Sequence, residues 1–545
     1  MPNGYLLLVL HAHLPFVRHP EYDSFLEENW LFEAISETYL PLLRVMDRLE
    51  ADDVPFKLSF SISPTLSAML RDDLLQQRYV RHLDSMLELA DRELERTRKD
   101  ERFAAVARMY KRLFYENRRD FVDKYECDVL KGLDFHSKRG SVELITTAAT
   151  HAYLPLYQNY PEAIRAQTQV AVDQHLRVFA KPPKGFWLPE CGYFPGLEDY
   201  LHEQGIRYFF AASHGLVFGY TKPENGVYKP IRCPNGVAVF GRDVDSANAV
   251  WSSEEGYPGD PSYRDFYRDI GFDLPLEYIG DFIHEDGIRV HTGFKYHAIT
   301  DKSDQNKRPY DPVEAERTVA AHAENFIYNQ KKQFKKLGKF MTEPPVITSP
   351  FDAELFGHWW FEGPQWIESV IRKLHETDTG IEMITASEYL KQQSDLQVAQ
   401  PAFSSWGNKG YSEVWLDSSN DWIYRHLHKL VERMIDLVDR FPREAGLKKR
   451  FLDQAAREVL LSQASDWPFI MRAGTNVEYA VRRIKQHVKN FTTVYDSLSR
   501  GEVSTEWLTS VERRHNVFPD LDYRIFARRS ASNCESGQLK AGRSL

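Results

Sequence analysis

Two acidic side chains, far apart in the sequence, have the surroundings that glycosidic-bond chemistry requires. Glu190 stands in Trp187-Leu-Pro-Glu190-Cys-Gly-Tyr193, and Asp352 in Ser349-Pro-Phe-Asp352-Ala-Glu354-Leu-Phe-Gly-His358-Trp-Trp360. Each lies at the end of an apolar, strand-like run and among aromatic residues. Cleavage with retention needs one carboxylate to attack the anomeric carbon and a second to move a proton on the leaving oxygen, with about 5 to 5.5 Å between them. Flat aromatic faces would hold the sugar rings. A carboxylate between Leu188 and Tyr193 is costly unless it is paired or used, which favours a working role for Glu190. For the second role Asp352 competes with Glu354. If the strand continues past 350, alternation puts both on one face, so spacing alone does not choose.

Histidines form a second group. His11-Ala-His13 follows the first apolar run, and His151 follows the third. A His-x-His pair at the end of a barrel strand can aim both imidazoles at one ion, and His151 with Asp352 could complete such a metal site. The Leu14-Pro15-Phe16 sequel and the aromatic surroundings suit sugar binding better, with His11, His13 and His151 holding hydroxyls of the ring being cleaved. Arg242 and Asp243, just past another strand, are further contacts, or else a structural salt bridge. Among the tryptophans, Trp30, Trp187, Trp251, Trp360, Trp406 and Trp415 are candidate sugar platforms, as is His358 beside them. Trp406 and Trp415 lie in Gly-rich and Asp-rich contexts that favour half-exposed rings.

The elements that must position these groups are short strands alternating with helical patterns. Strands are expected at 5–10, 57–62, 142–147, 185–190, 207–211, 237–241 and 346–350, spaced as βα units that close a parallel sheet into a barrel. Barrel enzymes gather catalytic groups at the carboxyl ends of strands, because all those ends open on one face. Apolar positions at three- and four-residue intervals mark 66–131 as an inserted helical layer. Residues 213–234, with Tyr220 and Tyr228, read as a long active-site loop. The stretches 422–439, 447–462 and 477–498 read as helices of a second domain. The expected division is a barrel over 1–400, a helical domain over 401–529 and a disordered tail over 530–545.

At 545 residues the chain is long enough for two such units. A formal charge of -10 offers no basic footprint for nucleic acid or anionic lipid, whereas a neutral polymer is compatible. No apolar run approaches the roughly 20 residues of a membrane span. The start, Met1-Pro-Asn-Gly before a short apolar strand, lacks the basic flank and cleavage site of a signal peptide. Four cysteines without framework spacing suit a reducing compartment, so the cytoplasm is expected.

Five blocks together resemble glycoside hydrolase family 57, and within it the 1,4-α-glucan branching enzymes. They are His11-Ala-His-Leu-Pro15; Glu143-Leu-Ile-Thr-Thr-Ala-Ala-Thr-His151; Trp187 to Tyr193; Phe351 to Trp360; and Trp406-Gly-Asn-Lys-Gly-Tyr-Ser-Glu-Val-Trp415. Val250-Trp-Ser, Gly256-Tyr-Pro-Gly-Asp260 and Phe266-Tyr-Arg-Asp269 extend the likeness over almost the whole chain. The resemblance implies an incomplete seven-stranded (β/α) barrel, a helical C-terminal domain that completes the active-site wall, and no metal or other cofactor. It implies Glu190 as nucleophile and Asp352 as acid/base. The expected substrate is an α-glucan serving as donor and acceptor, and the expected protein is a monomer. Three rivals stand beside it: an α-amylase or 4-α-glucanotransferase with the same residues, a metal-dependent hydrolase using His11 and His13, and a non-catalytic glucan-binding protein.

Overall fold

The computed structural model describes residues 2–252, 256–284, 286–301, 306–393, 395–501 and 504–529, and the expected tail at 530–545 lies outside the described residues. Seven parallel strands form the barrel: β1 Gly4–Ala12, β2 Leu58–Ile62, β3 Val142–Thr147, β4 Gly185–Trp187, β5 Tyr208–Ala211, β7 Ala238–Gly241 and β8 Val346–Asp352. Their order is β7-β5-β4-β3-β2-β1-β8. All nine residues of β1 are buried, as expected of a parallel strand covered on both faces. Two short strands were not expected. β6, Ile231–Arg232, runs antiparallel to β7, and β9, Ile381–Met383, pairs the first residues of β1.

The barrel is incomplete between β7 and β8. In place of a ladder, the Asp243 N–H reaches the Thr348 carbonyl at 2.9 Å, and the Val346 N–H reaches the Tyr228 carbonyl at 2.8 Å. Tyr228 therefore stops the gap beside the first residue of β8, away from the carboxyl ends. The long loop expected at 213–234 contains a short helix, Ser213–Val217, and β6.

Two strand ends differ from the sequence reading, and both differences move a carboxylate. β4 stops at Trp187 rather than at Glu190, because Pro189 has no N–H to donate and the next two residues adopt left-handed backbone, Glu190 with φ 61° and Cys191 with φ 50°. β8 runs on to Asp352, since Phe351 and Asp352 remain in register with Leu10 and His11 of β1.

The helical insertion is an antiparallel pair, Asp73–Thr97 and Glu101–Arg119, started by Asp72 and Asp100, whose side chains accept from the Leu75 and Arg102 N–H groups. Leu83, Met86, Leu89 and Ala90 form its buried face. From the segment between β7 and β8, Phe294 packs on Phe114 of this pair and the Lys295 carbonyl accepts from the Tyr110 hydroxyl. The described residues beyond 423 carry five α-helices, Tyr424–Arg440, Gly446–Ser462, Asp466–Ala473, Val477–Arg500 and Thr505–Arg514. The short Asp466–Ala473 helix escaped the periodicity reading, and it is the one that reaches the barrel mouth.

Candidate active site

Glu190 is held from two directions. The Trp406 Nε1–H donates to its Oε2 at 2.7 Å, and the Ser465 hydroxyl donates to its Oε1 at 2.9 Å. Its backbone carbonyl accepts from the Trp406 N–H at 2.8 Å, so the left-handed turn and the 406 loop fix each other. Burial pushes the Glu190 carboxyl up to about 7; the Trp406 and Ser465 bonds pull the other way without cancelling it.

Asp352 is the last residue of β8, directly across from His11 on β1. Among the described residues its carboxylate has no hydrogen-bond partner. Burial raises its pKa well above the usual carboxylate range, the negative charges of Glu354 and then Glu190 raise it further, and Arg242 opposes them. Glu354 is occupied by contrast, accepting from the His13 N–H at 3.1 Å and from the Tyr39 hydroxyl. The structure thereby separates two carboxylates that strand alternation left equivalent.

The histidines form a chain that ends at Glu190. His11 Nε2 lies 2.9 Å from His151 Nε2, and His151 Nδ1 lies 2.8 Å from the same Ser465 hydroxyl that meets Glu190. His151 has φ 57°, and its carbonyl accepts from the Ser465 N–H. His13 stacks on His151 with ring centroids 3.9 Å apart and points Nε2 at Asp466, 3.1 Å away. Burial drives His11 and His151 well below the ordinary histidine pKa, so both are neutral. Burial also works against charge on His13, but Asp466, Glu354 and Glu190 together outweigh it and raise its pKa.

For the metal reading, His11 and His13 would have to turn to one ion. Their nitrogens instead meet different partners: Ser61 and His151 for His11, Ser63 and Asp466 for His13. The donor atoms that do converge, within 4.8 Å of one another, belong to His13, His151 and Asp466.

Several candidate contacts take other places. Trp187 is 0% exposed and backs His11 in a parallel stack at 4.6 Å, so it orients the imidazole instead of touching sugar. Trp360 and Trp415, 1% and 2% exposed, are core residues, Trp415 lying against Tyr153. Asp243 is neither a ligand contact nor an ion-pair partner of Arg242. It caps the helix Val244–Trp251, accepting from the Ser246 N–H and from Gln333. Tyr228 lies in the barrel gap and bonds the same Gln333. His358 is tied to Glu37 at 2.6 Å. Trp30 is partly buried, edge-on to Tyr479. Trp251 keeps 39% of its surface exposed at the end of its helix. Arg242 does face the site, its guanidinium 5.4 Å from the Trp406 ring and its charge acting on Asp352.

The residues that sequence reasoning missed are Ser465 and Asp466, supplied by the C-terminal helices, with Ser61 in β2 and Ser63 just after it. Ser465-Asp-Trp-Pro, a polar break between two apolar helical runs, was the available signal for the first pair.

A family profile described as "Glycosyl hydrolase family 57" matches residues 7–402. The chain belongs to this family. A second profile, "1,4-alpha-glucan branching enzyme, C-terminal", matches residues 426–526. The 1,4-alpha-glucan branching enzyme of Thermococcus kodakarensis is 33% identical over 95% of this chain and 77% of its own length. Among solved structures, an alpha-amylase from Thermotoga maritima is 44% identical with TM-score 0.92, covering 97% of this chain and all of that one. A branching enzyme from Pyrococcus horikoshii is 31% identical with TM-score 0.86, covering 97% of each chain. No helix among the described residues is long and apolar enough to cross a membrane.

Proposed function

We propose that this protein is a 1,4-α-glucan branching enzyme acting by double displacement, with Glu190 as nucleophile and Asp352 as acid/base. The observation that carries the assignment of roles is the ordering of the two protons. Glu190 ionises near 7, while burial, the Glu354 charge and then the Glu190 charge hold the proton on Asp352. Asp352, free of hydrogen-bond partners, can spend that proton on the glycosidic oxygen. Glu190, already held by Trp406 and Ser465, is aimed rather than mobile. Attack by Glu190 forms a covalent glycosyl-enzyme as Asp352 protonates the leaving glucan. Esterification removes the Glu190 charge and lowers the pKa of Asp352, which becomes a base. It then deprotonates the 6-hydroxyl of an acceptor chain, which attacks the anomeric carbon and gives an α-1,6 branch.

His11, His13 and His151 surround the ring being cleaved, and Arg242 and Trp406 flank it. The domain reading goes with this proposal: a catalytic barrel over 1–400, completed by a helical domain over 401–529 that supplies Ser465 and Asp466. The same reading places the protein in the cytoplasm as a monomer acting on a glycogen-like glucan.

Transfer to water instead of a 6-hydroxyl would be amylase chemistry, and the 44% identity to a protein described as an alpha-amylase favours that second reading. The branching-enzyme profile over the C-terminal helices and the relatives described as branching enzymes, which span 95% or more of this chain, favour the first. Incubation with amylose followed by linkage analysis separates them. New α-1,6 bonds, absent with Glu190→Gln, support branching; reducing ends without α-1,6 bonds mean an amylase.

A further inference from the structure

Beside the catalytic pair lies a second group of side chains that the mechanism above does not use. The residues after Asp352 turn through Gly357, whose φ is 116° and where a Cβ would stand 1.8 Å from the Glu37 carbonyl oxygen. This close approach pins His358 against the helical turns that carry Glu33 and Glu37. His358 Nδ1 is bound to Glu37 at 2.6 Å, and Arg264 approaches Glu37 from the other side at 3.5 Å. Glu37 is therefore a satisfied structural carboxylate.

Glu33, one turn earlier, is different. Its side chain is 21% exposed, its nearest cation is His358 Nε2 at 4.0 Å, and it has no hydrogen-bond partner among the described residues. Next to His358 stands an aromatic platform, Trp359 stacked on Phe266 at 4.5 Å, with 54% of the Trp359 surface open to solvent. A carboxylate with free lone pairs beside an exposed indole face is the combination that binds a sugar ring, by hydroxyl bonds at its edge and stacking on its apolar face. The helix Asn29–Glu33 also presents Asn29 and Phe32 to a cavity of about 300 Å³ with Asp23, Arg81 and Asp281 as polar lining.

We infer that Glu33 and the Trp359 face form a binding site for the acceptor glucan, with Glu33 holding a hydroxyl of the sugar that brings its 6-hydroxyl to Asp352. This rests on the branching reading, and the direction follows from the chemistry. Glu190 is enclosed by Trp406, Ser465 and the histidines. His358 and Trp359, against which Glu33 lies, are instead on the turn that follows Asp352, the residue that must meet both the leaving oxygen and the incoming hydroxyl. Burial lifts the Glu33 carboxyl to about 7, so near neutrality it can either donate to or accept from a hydroxyl.

The test has two arms. In the first, Glu33→Ala and Glu33→Gln are compared with wild type on amylose, scoring α-1,6 bonds against new reducing ends. The inference expects the ratio of branches to reducing ends to fall at least fivefold in Glu33→Ala, with partial recovery in Glu33→Gln, which retains hydroxyl-binding atoms. A ratio unchanged from wild type, with both products lost together or neither lost, overturns it. In the second arm, maltoheptaose binding is measured by calorimetry on the Glu190→Gln protein with and without Glu33→Ala. Affinity at one site should weaken about tenfold, and unaltered binding at every site overturns the inference. Should the wild-type protein make no α-1,6 bonds, the branching reading falls, while the binding arm still decides whether Glu33 holds glucan.

Discussion

If burial holds Glu190 protonated to about pH 7, the folded state loses stability whenever that carboxylate must ionise, and replacing it should recover what is lost. The ordinary value for a glutamate is 4.5, and in the folded chain the group titrates near 7. Below pH 4.5 both folded and unfolded chains carry the proton and no stability is lost. As pH rises through 7 the unfolded chain has already ionised, and the folded chain must bury a charge. The displacement of about 2.5 pH units, at about 1.4 kcal/mol each, is a penalty of about 3 kcal/mol, fully present by about pH 9. Glu190→Gln removes the penalty but weakens one of the bonds from Trp406 and Ser465, a loss of about 1 kcal/mol. The variant should therefore be more stable than wild type by about 2 kcal/mol at pH 9 and equal or slightly less stable at pH 4. Thermal unfolding of both proteins across this range gives the difference directly. A stability difference that does not change with pH, or a variant less stable at pH 9, would refute the claim that burial governs this carboxyl.

Ser465→Ala removes a donor to the ionised Glu190, so the acidic limb of the kcat/KM profile should move upward by about 1 pH unit, the equivalent of one charge-assisted bond; an unmoved limb would show that Ser465 does not tune the nucleophile. Asp352→Asn should lower turnover by about 10²- to 10⁴-fold, the usual worth of a general acid–base group. Glu354→Gln should cost less, because its role is to hold Tyr39 and His13, and a larger loss on steady-state turnover in Glu354→Gln would reverse the two assignments. Trp360→Ala should destabilise the protein by about 3–5 kcal/mol in denaturant unfolding, whereas Trp359→Ala should leave stability nearly intact and weaken polymer binding; the opposite pattern would contradict the burial of the two rings.

The division between sequence and structure is clearest at the two strand ends. Largely apolar runs with the length and spacing of barrel strands marked β1, β2, β3, β5, β7 and β8 to within a few residues, because a strand covered on both faces is rich in apolar residues even where it carries serines, as β2 does. The carboxyl-end rule then drew His11, His13, His151, Glu190 and Asp352 to one face. Pattern could not reveal that β4 stops before Pro189 and that Glu190 sits on left-handed backbone, a conformation held by the 406 loop more than two hundred residues away.

Burial divided the tryptophans. Trp359 and Trp360 are neighbours in sequence, yet one is open and the other enclosed, a difference made by the turn at Gly357 and the helices packed beneath it. Which carboxylate is free was also beyond the sequence. Glu354 lies in the turn just past the end of β8, where Tyr39 and the His13 backbone N–H bind it, whereas Asp352, the last strand residue, has no hydrogen-bond partner among the described residues. The amino-acid order determined the strands, the residue types and the family likeness, since these depend on local polarity and spacing. Proton ownership, the Ser465 and Asp466 contacts and the Glu33 surface arise where segments distant in the chain exclude water together, and only the tertiary structure could decide them.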